Sequence, residues 1–251
     1  MSRDNLLNTN EQTQPTRMEL KYQIDKQLSS EIQEWAKEHI AADPHCSEPG
    51  CDSYRVSTLY FDNPELDEYH RTGLAGNTKH RIRCYEETAQ IWLEAKSKKK
   101  CRVSKRRTNV SADEFQHSLK EYLSSSQTFD QSWPGYWFLN AVDELRLISI
   151  VGVQYQRFAR TEVIQGESLR LTIDSELQAA STTSCLFRDT LPLQSIETPD
   201  ILELKFHNRM PLLFKQLLSQ FPLTCQGFSK YRTSVEVCVN NRDKSELISC
   251  A

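Results

Sequence analysis

Glycine is scarce, with seven in 251 residues, and none falls in a G-x-x-x-x-G-K or G-x-G-x-x-G arrangement. A loop that cradles phosphate with backbone N–H groups is thereby excluded, so any anion bound here must be held by side chains. Long apolar runs are missing too: nothing approaches the roughly 18 apolar residues of a spanning helix. The opening MSRDNLLNTNEQTQPTR has no apolar core of a secretory signal. A global basic excess is also absent, since 31 Lys and Arg face 34 Asp and Glu for a net charge of -3. That balance argues against a nucleic-acid coat, and the paired aromatics of an RNA-binding sheet are missing as well. These absences predict a cytoplasmic chain with no membrane segment and no nucleic-acid partner.

The eight cysteines (46, 51, 84, 101, 185, 225, 238 and 250) are scattered, several inside apparent strands, and read as reduced thiols rather than a disulfide framework. HCSEPGC, with His45, Cys46 and Cys51, offers three metal ligands but no second pair at zinc spacing, and reads as a loop.

Helical patches are few. Ser29 or Ser30 can cap a helix with Ile32, Trp35, Ala36 and Ile40 on one face, and Ser111-Ala-Asp-Glu114 is a capping box before Phe115, Leu119 and Leu123. Further patches follow Pro134 and Pro211. Between them the chain alternates with period two, giving strand expectations at 18–22, 56–61, 80–85, 91–98, 102–108, 148–160, 169–174, 201–207 and 233–239. One domain is expected, with 178–199 its longest irregular connection. Tyr60 and Phe61, in STLYFD, read as core strand residues.

The strand faces carry the chemistry. Side chains alternate across a strand, so Arg81, Arg83 and Tyr85 share one face and Ile82 and Cys84 the other. By the same parity Trp92, Glu94, Lys96 and Lys98 fall together, as do Lys105 with Arg107, Tyr155 with Arg157, Arg170 with Thr172 and Asp174, and Glu203 with Lys205 and His207. A solvated outer face alternates in the same way with no function at all. These faces, however, repeat Arg and Lys with few acids: between Lys79 and Arg107, eleven Lys or Arg stand against Glu86, Glu87 and Glu94.

If the sheet curls with those faces inward, the fold is α+β: an antiparallel β-barrel or tunnel with a charged lumen and helices packed outside. Unpaired cations in a lumen are too costly, so it must hold water and a highly charged anion. Glu-x-Lys recurs at Glu19 and Lys21, Glu94 and Lys96, and Glu203 and Lys205. Each pair puts an acid suited to Mg²⁺ or Mn²⁺ and a base suited to phosphate on one wall.

In order along the chain, MELKY, STLYFDN, HRIRCY, IWLEAKSKKK with SKRR, QYQRFAR, LRLTID, ILELKF and GFSKY resemble the polyphosphate polymerase domain of the vacuolar transporter chaperone (VTC) proteins, within the triphosphate tunnel metalloenzyme superfamily. The resemblance implies a VTC-type tunnel domain over 17–240, between a disordered tail at 1–16 and a polar tail at 241–251. It implies transfer of the ATP γ-phosphate onto inorganic polyphosphate with Mn or Mg as cofactor. By it, Arg81, Arg83, Lys96, Lys105 and Lys230 are catalytic contacts, Lys21, Tyr155, Arg157, Arg170 and Ser229 bind substrate, and Glu203 holds the metal. Ser229, with no paired His in its motif, reads as a hydrogen-bond donor rather than a nucleophile.

Arg17 stands where the related adenylate cyclase and thiamine-triphosphatase branch has the first Glu of Glu-x-Glu-x-Lys, which favours the polymerase branch. The SPX domain and membrane helices of the eukaryotic vacuolar members are not found in these residues, so the resemblance implies neither inositol-phosphate regulation nor coupled transport. Two alternatives stay open: a tunnel-type tripolyphosphatase or nucleoside triphosphatase, and a non-catalytic polyphosphate binder, against which an intact Glu203 weighs.

Overall fold

The computed structural model describes residues 17–44, 52–85, 90–99, 102–125, 129–164, 166–185 and 191–239. The two polar tails and the HCSEPGC segment with His45, Cys46 and Cys51 lie outside the described residues. Nine strands are found among those described: β1 (Arg17–Ile24), β2 (Ser53–Asp62), β3 (Thr78–Tyr85), β4 (Gln90–Lys99), β5 (Arg102–Ser111), β6 (Ile148–Ile164), β7 (Glu167–Ser181), β8 (Gln194–Ser195) and β9 (Asp200–His207). They form one antiparallel sheet in the order β1-β9-β7-β6-β2-β3-β4-β5, with β8 on β7.

The sheet is not strictly closed, because β1 and β5 end the order without pairing among the described residues. It is nevertheless curled: Lys96 of β4 reaches Glu19 of β1 at 3.3 Å, so strands near the two ends come within side-chain reach.

Period-two alternation decides what each face meets. On the outer face of β1, β9 and β7, Tyr22, Leu171, Ile173, Leu202 and Leu204 pack under α1 (Lys26–His39) and α5 (Leu212–Gln220), which contribute Ile32, Trp35, Phe214 and Leu217. On the outer face of β2 to β5, Leu59, Phe61, Ile82 and Leu93 pack under α3 (Ala112–Ser124) and α4 (Tyr136–Glu144), through Phe115, Phe138 and Leu139. Each such fully buried side chain contributes about 1.5–3 kcal/mol. Asp25, not Ser29 or Ser30, caps α1: its carboxylate accepts from the Leu28 N–H at 2.8 Å, which starts the helix a turn earlier than expected. Ser111 caps α3 as expected, accepting from the Glu114 N–H.

The segment 233–239, expected as a strand, belongs instead to α6 (Lys230–Cys238). Ser229 caps it, and Tyr231, Ser234, Val235 and Cys238 are buried at helical spacing, so tertiary packing overrides the β-branched composition. Moreover, α6 packs on the inner face of the sheet, against Tyr60, Val151, Val153, Leu177 and Ala179, so the helices are not all outside.

One extra residue makes this possible. The β6–β7 register runs Arg157 with Asp174 and Gln156 with Ser175, then Gln154 with Gln178, and Glu176 sits there at φ 54. Such a bulge exchanges the parity of the strand. Asp174 faces inward before it, and Leu177 and Ala179 face inward after it. The same bulge carries β7 on to Ser181, which shortens the irregular connection expected from 178.

Candidate functional site

The inner face beyond α6 encloses a cavity of about 520 Å³. Its walls carry nine cations (Lys21, Arg71, Lys79, Arg81, Arg83, Lys96, Arg157, Lys205 and Lys230) against Glu19, Glu68 and Glu203, so it is an anion chamber. Tyr60, Asn77, Tyr155, Phe228, Ser229 and Tyr231 complete much of the lining.

On the β1–β9 wall, Lys21 pairs in register with Glu203. Its Nζ donates to Glu203 Oε1 at 2.6 Å and lies 3.2 Å from Glu19 Oε1, so both carboxylates converge on one cationic position. Lys205 donates to the other Glu203 oxygen. Burial would raise Glu203, but Lys205 and Lys21 outweigh it and hold the carboxyl well below the ordinary Glu range. Glu19 is lowered as well, with Lys205, Lys21 and Lys96 overcoming both burial and the Glu203 charge.

On the β6–β7 wall, Arg157 donates to both Asp174 oxygens at 2.6 and 2.7 Å, and Lys230 adds a third bond at 2.6 Å. The Lys230 ammonium also lies 4.6 Å from the centre of the Tyr155 ring. On the β3–β4–β5 wall, Glu94 is fully buried and wrapped by Arg81 at 2.7 Å, Lys105 at 2.8 Å and Arg107 at 3.0 Å. Burial opposes the charge of Asp174 and of Glu94, yet the cations win and both carboxyls lie well below their ordinary values. These two acids are behind the lining and hold its cations in place.

Of the residues expected at the site, Lys21, Arg81, Arg83, Lys96, Tyr155, Arg157, Glu203, Ser229 and Lys230 meet around this one cavity. Lys105 is set back against Glu94. Arg170 lies in a neighbouring cavity of about 290 Å³, where it pairs with Asp43 at 2.8 Å and donates to the Tyr54 hydroxyl at 2.8 Å. Lys205 lines both cavities, so the cationic surface continues from one to the other.

Lys79, Lys205, Tyr60 and Glu68 were not among the site residues that the resemblance implied. Lys205 was nonetheless expected as the phosphate base of its Glu-x-Lys pair in LELKF, and Lys79 was legible, since it shares the parity of Arg81 and Arg83. Tyr60 is buried as expected of a core strand, but on the inner wall, where its ring meets Tyr231 at 5.4 Å. Burial would raise its hydroxyl, and the surrounding Arg81, Arg83, Lys230 and Lys79 lower it instead. Glu68 follows Leu66, at φ 55, on the short helix α2 (Asp67–His70), and nothing in the local pattern announces that it turns inward.

A curled antiparallel sheet enclosing a chamber of Arg and Lys defines the triphosphate-tunnel class of fold. The chain belongs to the VTC domain family, which it matches over residues 16–239. Among solved structures it is similar to a Hippeastrum protein, named as an adenylyl cyclase with a dominant triphosphatase activity, at 15% identity and a TM-score of 0.55, covering 89% of this chain and 97% of that one. It is also similar to a Bacillus halodurans protein named as an adenylate cyclase, at 14% identity and a TM-score of 0.49, covering 85% of this chain and 93% of that one. The Hippeastrum likeness is one of fold. No curated protein matches the chain. Among the described residues no helix is long and apolar enough to cross a membrane, which says nothing of a β-barrel.

Proposed function

We propose that the protein is a triphosphate-tunnel enzyme that transfers the ATP γ-phosphate to a growing inorganic polyphosphate chain. The observation that carries the reading is the cavity itself, in which nine cations from several strands and α6 converge with only three carboxylates among them. Phosphoryl transfer asks little covalent chemistry of a protein and depends on positioning and charge stabilisation. Arg81, Arg83, Arg157 and Lys230 are pre-set for this, because Glu94, Thr58 and Asp174 fix them before any substrate arrives. The Ser229 hydroxyl accepts from Lys79 at 3.1 Å and from the Arg232 N–H at 3.4 Å, which leaves its proton to donate to a phosphate oxygen. Lys96, Lys21 and Tyr155 complete the grip. Lys105 supports Arg81 through Glu94, and Arg170 extends the basic surface into the neighbouring cavity.

A divalent metal fits the Glu19 and Glu203 pair. The donors are hard carboxylate oxygens, held ionised, and converge on the position now taken by the Lys21 ammonium. No group of three His, Cys, Asp or Glu converges among the described residues, so an ion held here would rest on these two carboxylates and on substrate phosphates, a ligand set that Mg²⁺ can take. Such an ion would neutralise phosphate charge.

Polymerase is favoured over hydrolase because the basic lining does not stop at the main chamber but extends through Lys205 to Arg170, and many weak contacts retain a long polyanion. The test is a phosphorus balance with ATP and Mn²⁺. Chains that lengthen with time, with a lag shortened by short polyphosphate primer, are expected. If all γ-phosphate lost from ATP is recovered as orthophosphate, the tripolyphosphatase or nucleoside triphosphatase reading replaces this one. If ATP is bound and never consumed, the protein is a polyphosphate binder.

A further inference from the structure

The acids in and behind the chamber share one habit, which Glu68 breaks. Glu94 has Arg81 on one oxygen and Lys105 and Arg107 on the other. Asp174 gives both oxygens to Arg157. Glu203 divides its oxygens between Lys21 and Lys205, and Glu19 between Lys21 and Lys96. Glu68 uses Oε1 for Lys79 at 2.9 Å, while its Oε2 is buried and has no hydrogen-bond partner among the described residues. The residue is 5% exposed and lines the chamber. A buried carboxylate oxygen left unpaired costs stability unless something else uses it.

Its surroundings explain what that use is. Lys79 of β3 faces Glu68, Asp62 of β2 lies beneath it, and Arg232 and Tyr231 approach from α6; Tyr231 is bonded to Asp62 at 2.6 Å. Burial raises the Glu68 carboxyl and Asp62 adds to the rise, against the pull of Lys79 and Arg232. The balance is the reverse of that at Glu203 and Glu19, which are lowered. Two sets of carboxyls in one site, moved in opposite directions, divide into charge holders and proton handlers.

We propose that Glu68 is a catalytic base for the phosphoryl transfer argued above, on which this inference rests. A turn of the side chain brings the closed Oε2 to the chamber that the residue lines, where it accepts the proton of the attacking acceptor oxygen, whether that belongs to a protonated terminal phosphate or to water. As the new bond to the γ-phosphorus forms, the bond from that phosphorus to the bridging oxygen breaks, and its electron pair stays on the β-phosphate of departing ADP. The proton on Glu68 then returns to solvent.

The test is Glu68→Gln, which keeps size and removes basicity, with Glu68→Asp beside it. Orthophosphate release from tripolyphosphate and chain growth from ATP are both followed across pH, and tripolyphosphate protection in thermal melts checks that each variant is folded and binds. In the parent protein the rate should fall as pH drops through a value above the ordinary 4.5 of Glu. Glu68→Gln should lower kcat about a hundredfold, with KM within threefold, and its acid limb should vanish. Glu68→Asp should keep the limb at a reduced rate, and decides the matter if Glu68→Gln does not fold. A Gln variant with an unchanged rate or a retained acid limb, or a loss confined to KM, overturns the assignment and leaves Glu68 as an anchor for Lys79. If the parent protein transfers phosphate to neither chain nor water, the reading of the function fails and the base falls with it; a parent that is active beside an unaffected Gln variant sinks the Glu68 assignment alone.

Discussion

One face of β6 and β7 is a phosphate-binding surface at one end and a hydrophobic core at the other. Arg157, Tyr155 and Asp174 line or back the chamber, whereas Val153, Val151, Leu177 and Ala179, on the same side of the same strands, are sealed by α6. On β6 the parity holds from Arg157 to Val151, shifting only beyond it where Ser149 pairs with Phe61, so over this stretch the switch is written in the side chains alone. On β7 it needs the bulge at Glu176, without which Leu177 and Ala179 would point outward. Local backbone irregularity thus decides where the tunnel ends, and α6 makes the boundary chemical: its Val235 and Cys238 face the core, and its Lys230 and Ser229 face the chamber.

The strongest way to break that division is to place a charge on the apolar side. Val235 is fully buried with no charged partner in its cluster. Val235→Asp should cost about 4 kcal/mol or more, the mark of a buried unpaired charge, and denaturant melts should show a protein largely unfolded. The mirror experiment removes charge from the other half. Arg157→Met leaves Asp174 with Lys230 as its remaining cation and should cost about 3–5 kcal/mol, with transfer activity lost.

Acid sharpens this second case. In the parent protein the Asp174 carboxyl lies below its ordinary value of 3.8, so its contribution is fully present above that value and is lost only as pH falls through the lower folded one. Removing Arg157 raises the folded value. The stability gap between variant and parent should therefore be widest near neutral pH and narrow as pH drops through the variant's raised folded value toward the parent's lower one. A gap that is flat with pH would mean that Arg157 acts by packing rather than by pairing with Asp174.

Glu203→Gln should divide activity from folding. The Lys21 ammonium keeps Glu19, so the stability loss should be about 1–3 kcal/mol, while metal-dependent turnover falls more than tenfold and tripolyphosphate still binds. Normal metal-dependent turnover in that variant would move the metal to other ligands. The smallest effect is expected at the mouth. Lys96 is 38% exposed and 3.3 Å from Glu19. Lys96→Met should leave stability within about 0.5 kcal/mol and weaken polyphosphate retention several-fold, mostly at low salt, where exposed charges are least screened.

The strand ladder and its charged parity could be read from residues such as Arg81, Arg83, Glu203 and Lys205, because period two is a local property of any strand. That Lys105 and Arg170 stand apart from the main chamber could not, since parity reports the face of a sheet and not the position along a tunnel. Glu68 was invisible for a different reason: its inward turn depends on the left-handed backbone of Leu66 and on Asp62, which accepts from the Glu68 and Tyr69 N–H groups at 3.0 Å. The acids likewise looked alike in the sequence. Only their neighbours separate Glu94, wrapped by three cations, from Glu203, which opens on the chamber.

What the sequence determined by itself was the alternation of charge and apolar side chains, the lack of any glycine-rich phosphate loop, and therefore an anion site built from Lys and Arg on strands. The tertiary structure decided that the sheet curls without strictly closing, that 230–238 is a helix inside it rather than a further strand, and which carboxylates keep an oxygen free. The physical reason is that alternation is set residue by residue, whereas burial, register shifts and the sharing of cations among acids exist only between segments far apart in the chain.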